Sequence, residues 1–357
     1  MLRHRRLIAA AGVAALLSAG CTPAPHRAPG AHASRAPAGS ASPSYHNPVF
    51  EQDAPDPTVI RAGDGTYYAY TTQSIYLNLL NIPVLASRDL VHWHQVADAF
   101  PTVPDWVLGG AAGDMWAPHI LFWQGRYLLY YAGRRVVGGD MAIGGDMAIG
   151  LGISSSPKGP FRDIGHPVLT KSAGQPDYTA IDPFVLADAG RLYLYWGSDG
   201  QPIRVAPLSS DGQRVVGPPR ALVAPVPRHG AYGGLVEGAW VVVHGGVYYL
   251  MYSVGDCCSD NANYAVSVSR ARSPLGPFEA DPANPIMAGN SRFWAVGHNA
   301  TVRDAAGQDW MVYHARVRSS PSNDRDLMLD RIAWAAGWPT INGGKGPSWK
   351  SQPAPAR

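Results

Sequence analysis

An all-β chain, folded as a single five-bladed β-propeller, is what this sequence predicts, and two observations carry the prediction. A short apolar strand, a turn with glycine and a second strand rich in Tyr, Trp and Leu recur five times. The turn glycines Gly65, Gly125, Gly190, Gly246 and Gly307 lie 60, 65, 56 and 61 residues apart. Near-equal units of this length, each with room for four strands, are the mark of propeller blades, which pack face to face around an axis and hide their edges. Composition agrees: 40 Gly, 32 Pro and 10% aromatics suit many short strands joined by tight turns, not long helices.

The units run in order along the chain. Gly65 precedes TYYAYTT, Gly125 precedes RYLLYYAG, Gly190 precedes RLYLYWGS, Gly246 precedes VYYLMYS, and Gly307 precedes QDWMVYHAR. Alternation of apolar and polar residues about each turn reads as a hairpin. Outer strands follow in VLASRDLVHW from Val84, GLGISSSPKGPF from Gly150 and AVSVSRARSPLGPF from Ala265. A two-domain β-sandwich would need a linker, and no Pro/Ser-rich break divides Tyr45 from Pro347. The hexapeptide GGDMAI occurs at 138–143 and again at 144–149. Six added residues preserve strand alternation, so the copy reads as a tolerated insertion in blade two.

Residues 1–21 have the layout of an export signal: Arg3, His4, Arg5 and Arg6, an apolar run from Leu7 to Leu17 too short to span a bilayer, and small residues before Cys21. The run Leu17-Ser18-Ala19-Gly20-Cys21 resembles a bacterial lipobox, with Ser18 where a large aliphatic residue is usual, so Cys21 is expected to carry a lipid anchor. Plain cleavage is the alternative. Residues 22–44, rich in Pro, Ala, Gly and His, read as a tether. The propeller then spans 45–347, with 348–357 as a C-terminal tail. Adjacent Cys257 and Cys258 can close a vicinal disulfide in an oxidising compartment or remain two thiols. A net charge of +3 gives no support to nucleic-acid binding.

The first strand of each blade lines the axis, so residues opening those strands converge at one end. Asp56, Asp182, Glu237 and His298 precede their turn glycines by nine, eight, nine and nine residues. Asp-Pro and Glu-Gly are ordinary turn dipeptides taken singly. Three acids in register at an axis repel one another and cost desolvation, which function explains better than architecture. Glycoside hydrolysis needs one protonated carboxyl and one ionised carboxylate, and a third acid can tune them through its charge. Phosphoryl transfer lacks a Gly-rich phosphate loop, and serine catalysis lacks a GxSxG elbow.

In this order, NPVFEQDAPDPTVI from Asn47, SRDLVHW from Ser87, DMWAPHI from Asp114, AIDPFVL from Ala180, LVEGAWVV from Leu235, SPLGPF from Ser273, GHNA from Gly297 and DRIAWAAGWP from Asp330 resemble glycoside hydrolase family 43. The resemblance covers the chain from Tyr45. It implies a five-bladed propeller that inverts anomeric configuration, with Asp56 as general base, Glu237 as general acid and Asp182 orienting the acid and raising its pKa. It also implies that His298 holds a water or a structural calcium ion in the axial channel; a core histidine bonded across blades is the plainer reading. Trp116 and His119 are expected in the substrate site, as a sugar-stacking platform and a subsite hydrogen bond, though the Trp beside Ala-Pro fits a core equally well. Arg316 is expected to reach a sugar hydroxyl.

The segments DCCSDNANYAVSVSRARSPLGPF and LMLDRIAWAAGWP look more like relatives that release arabinofuranose from arabinan or arabinoxylan than like endo-arabinanases. No cofactor is needed for that chemistry. A β-xylosidase or an endo-arabinanase is the alternative within the family, and a non-catalytic glycan-binding propeller lipoprotein the alternative outside it. The protein is expected to work as a monomer outside the cytoplasm, free or attached to the membrane through Cys21.

Overall fold

A computed structural model describes residues 43–357 apart from 75–79, 109–114, 136–145, 175–178, 199 and 227–230. The export signal, nearly all of the tether and the first GGDMAI copy therefore lie outside the described residues; the second copy's Met147 opens a strand.

The architecture is the predicted five-bladed β-propeller. Blade one comprises Thr58–Arg61, Tyr67–Tyr70, Pro83–Ser87 and His94–Asp98, paired antiparallel in that order. Blade two is Met115–Trp123, Arg126–Arg134 and Met147–Ser154, with Arg162–Asp163 and Leu169–Thr170 both on the third strand. Phe184–Asp188, Arg191–Trp196, Ile203–Leu208 and Arg220–Val223 make blade three. Blade four is Val236–His244, Val247–Val254, Ala265–Ala271 and Glu279–Ala280.

Blade five differs in how it closes. Its three inner strands are Phe293–Arg303, Asp309–Val317 and Asp326–Ala335, and its outer strand is Phe50–Asp53, from the other end of the fold. Trp338–Ile341 pairs with the far half of the third strand. The N-terminal strand thus closes the ring, since an open blade would leave an unpaired edge. Residues 348–357 lie on the fold and do not trail from it: Gln352–Pro353 pairs with Ser44–Tyr45, and Arg357 donates to the Asp89 carboxylate at 2.6 Å.

Each expected turn glycine is at a hairpin tip, and the pairs Gln124–Gly125, Ala189–Gly190 and Gly245–Gly246 all have positive φ. Positive φ at both central residues is the two-residue turn whose twist matches flanking strands.

The apolar residues divide into five main interblade clusters. Tyr68 and Tyr70 face blade two, packing with Leu129 and Tyr131, while Tyr67 and Ala69 on the same strand face blade five, packing with Trp310 and Val312. Similar clusters join blades two and three, three and four, and four and five. Alternation along this strand therefore separates two dry faces, one turned to each neighbouring blade. All four residues of Tyr67–Tyr70 are buried, because each inner blade strand has a neighbour on both faces.

Candidate active site

At one end of the axis the backbone marks one position on every blade. Asp56, Ala117, Asp182, Gly238 and His298 all have φ between 45° and 60°. Non-glycine residues in the left-handed region cost energy and persist where surrounding structure holds them. The holding contacts form a head-to-tail pattern. The N–H of Asp56 donates to His314 Nδ1 of blade five at 3.1 Å, that of Ala117 to Thr72 Oγ1 of blade one at 2.8 Å, that of Gly238 to Asp182 Oδ2 of blade three at 2.9 Å, and that of His298 to Ser253 Oγ of blade four at 2.8 Å. Four blades are thereby tied to the preceding one at the rim where the acids converge.

This corrects one detail of register. Asp56, Asp182 and His298 are equivalent, but blade four places Gly238 there, with Glu237 one residue earlier. Glycine adopts the φ of +60° at 238 without the strain borne at the equivalent residues, and an added Cβ there would press on His298 Nδ1 at 3.3 Å.

The three acids meet in one cavity of about 260 Å³, lined also by Thr72, Trp116, Ala117, Ile181, Cys257, Cys258, His298 and Arg325. A larger concavity, about 580 Å³, lies at the ring closure around Tyr45, Trp310 and Gln352, away from the acids.

Their environments differ. Asp56 is buried, which disfavours its charge more than any single neighbour favours it, but Arg325, with Nη1 3.1 Å from Oδ1, His298, His314 and Thr72, whose hydroxyl donates to Oδ2 at 2.6 Å, together outweigh the burial. The carboxyl is held well below the usual carboxylate range. Asp182 and Glu237 move the other way. Burial raises both, with Glu237 and Asp56 adding to the rise at Asp182, and Asp56 adding to that at Glu237. Hydroxyl donors limit the rise at Glu237: Tyr264 reaches Oε1 at 2.7 Å and Ser198 reaches Oε2. The site thus holds one firmly ionised carboxylate beside a buried pair that retains a proton to higher pH than ordinary carboxyls do.

His298 Nδ1 stands 3.3 Å from Asp56 and 4.0 Å from Asp182, and burial depresses its pKa. His314 is fully buried and neutral, with Nδ1 accepting the Asp56 N–H and the proton therefore on Nε2. Calcium takes six to eight oxygen ligands. Among the described residues no group of three or more His, Cys, Asp or Glu is arranged to hold a metal ion, and the His298 imidazole faces carboxylates already engaged by Arg325 and Gly238.

Two expected binding residues lie elsewhere. His119 is in the core between blades, its Nε2 at 3.1 Å from the Val185 carbonyl and its ring edge-on to Phe184 and Trp240; burial takes its pKa down to about 3. A bulge between Trp116 and His119 leaves Trp116 at the cavity and His119 behind it. Arg316 donates to the carbonyls of Cys258 and Ser259, both at 3.1 Å, so it braces a loop in place of reaching a sugar.

Arg325 was not anticipated. It precedes the third strand of blade five, away from the first-strand openings that supplied the acids and from the second-strand end that supplied Arg316. Thr72, Ser198, Ser253 and His314 share a signal that could have found them. Each is a polar residue at the end of an aromatic second strand, which returns to the same rim.

Comparison with known proteins agrees with this geometry. The model of glycosyl hydrolases family 43 matches residues 45–339. The chain is 28% identical to the extracellular endo-α-(1→5)-L-arabinanase 1 of Bacillus subtilis, over 80% of this chain and 86% of that one. It is also 28% identical to the extracellular exo-α-(1→5)-L-arabinofuranosidase ArbA of Cellvibrio japonicus, over 81% and 86%. The crystal structure of a thermostable family-43 glycoside hydrolase superposes with a TM-score of 0.73 at 27% identity, covering 88% of this chain and 99% of that one.

Proposed function

The chain belongs to family 43 of the glycosyl hydrolases and is a glycosidase, and from that premise we propose that it releases terminal arabinofuranose from arabinan or arabinoxylan by a single inverting displacement. The observation that carries the mechanism is the divergence of the acids: Asp56 is held ionised by Arg325, while burial keeps a proton on the Asp182–Glu237 pair. Titratable groups whose environments push their pKa values apart take opposite roles in acid–base catalysis.

Asp56 is the general base. It takes a proton from a water, whose oxygen bonds to the anomeric carbon from the face opposite the leaving group. Glu237 is the general acid, giving its proton to the glycosidic oxygen as the bond to the anomeric carbon breaks. Asp182, braced by the Gly238 N–H, orients Glu237 and by its charge makes that carboxyl hold its proton more tightly. Exchange with solvent then returns a proton to Glu237 and removes one from Asp56.

Release of single sugars is supported by the cavity. A volume of about 260 Å³ is roughly nine times the ~30 Å³ share of a water in the liquid, room for one pentose unit beside Trp116. The names of the two curated relatives support arabinan as substrate and action outside the cell. They support endo and exo action equally. Export is further supported by residues 1–21, with Cys21 as the proposed lipid attachment.

Incubation with nitrophenyl α-L-arabinofuranoside, nitrophenyl β-D-xyloside and debranched arabinan in parallel tests the reading. The expected result is turnover of the arabinofuranoside and arabinose as the sole early product from arabinan. Oligosaccharides at early times would establish endo action, preference for the xyloside a xylosidase, and turnover of none of the three would remove arabinan chemistry.

A further inference from the structure

The connection between the second and third strands of blade four carries Cys257 and Cys258, joined to each other as a disulfide. Both line the cavity that holds Asp56, Asp182 and Glu237. The loop is anchored by its polar groups. The Asp256 carboxylate accepts the N–H groups of Cys258 and Ser259 at 2.9 and 3.2 Å, and Asn263 Oδ1 accepts the Asp256 N–H at 2.8 Å. Arg316, buried with its guanidinium 5.0 Å from the Trp294 ring centre, donates to the carbonyls of Cys258 and Ser259. A buried guanidinium given over to two loop carbonyls makes the position of the sulfurs a built feature. Cys257 packs back on the buried cluster of Ala262, Tyr264 and Ala295, while Cys258 is exposed.

With its polar atoms so engaged, the loop offers the cavity a pair of soft, polarisable sulfurs that form only weak hydrogen bonds. A sugar ring has polar edges and a face of C–H groups. The carboxylates suit the edges, and a sulfur surface suits the C–H face through dispersion alone. We propose that the Cys257–Cys258 disulfide is an apolar wall of the sugar subsite, a specificity-determining element against which the C–H face of the terminal pentose lies. The proposal rests on the reading of this cavity as an arabinofuranose site. Reduction would replace one fixed surface with two thiols free to rotate apart, so binding should weaken while the acids stay in place.

The test compares the full-length enzyme oxidised and after reduction by a phosphine, which takes oxygen from water as the disulfide becomes two thiols. Peptide mapping confirms both thiols, and the melting temperature confirms the fold. The expected result is a KM for nitrophenyl α-L-arabinofuranoside raised roughly ten-fold, about 1.4 kcal/mol, with kcat within about two-fold. Inhibition by L-arabinose should weaken by the same factor, and reoxidation should restore both. The double variant Cys257→Ala/Cys258→Ala should match the reduced enzyme, and reversible reduction stands alone if that variant does not fold. Equal KM and equal arabinose inhibition in the two redox states would overturn the proposal. So would a fall in kcat and melting temperature with arabinose inhibition unchanged, which would make the disulfide a structural staple only. Failure of the functional reading is distinguishable, because the oxidised enzyme itself would then turn over no arabinofuranoside.

Discussion

Asp56→Ala is expected to lower kcat/KM by roughly 10³- to 10⁴-fold on arabinan and on nitrophenyl arabinofuranoside alike, the upper range for loss of a positioned general base. Both substrates need an activated water, whatever their leaving groups. The same loss is expected for Asp56→Asn. An amide can still accept the Thr72 hydroxyl bond but cannot take a proton, so the pair of variants separates base catalysis from the structural role of the Arg325 contact. Rates measured at equal folded concentration check this; an Asn variant retaining more than a tenth of wild-type activity would contradict the role of Asp56. Because Arg325 holds Asp56 ionised, the wild-type rate should not fall on its acid side until well below the ordinary carboxyl range.

Glu237→Ala should show the opposite selectivity. On arabinan, whose leaving group must be protonated, kcat is expected to drop roughly 10³-fold; on a dinitrophenyl arabinofuranoside, whose leaving group departs as a stable anion, by less than about ten-fold. The alkaline limb of the wild-type profile reports loss of the proton held by the Asp182–Glu237 pair, raised by burial, so activity should persist to higher pH than an ordinary carboxylic acid allows and fall as that proton leaves. Asp182→Asn should move this limb to lower pH, because removing the neighbouring negative charge makes Glu237 easier to ionise. Equal losses on both leaving groups, or a limb moved upward, would contradict the division of roles.

The blades were legible because each depends on local chemistry. A glycine at positive φ between a short apolar strand and an aromatic one writes the hairpin into the sequence five times, as at Gln124–Gly125 and Ala189–Gly190. Ring closure was not legible. Phe50–Asp53 pairs with a strand more than 270 residues later, and nothing within its four residues distinguishes an outer strand from a loop. Asp56, Asp182 and Glu237 could be found because first strands share an axis, and position along the repeat stood in for position in space. Arg325 escaped because it enters from a third strand. His119 and Arg316 were misplaced for a related reason: a bulge turns His119 into the core, and a loop from blade four meets Arg316 before any sugar could. One-dimensional spacing locates a rim but does not resolve which side chains on it are already engaged.

Central to the account is a single displacement in which water, activated by Asp56, attacks while Glu237 protonates the leaving oxygen. NMR of the first-formed sugar, recorded before mutarotation, tests it most directly. The account predicts that an α-L-arabinofuranoside gives β-L-arabinofuranose as the initial product. An initial product with the substrate's own α configuration would contradict it, since retention requires two displacements and a carboxylate acting as nucleophile.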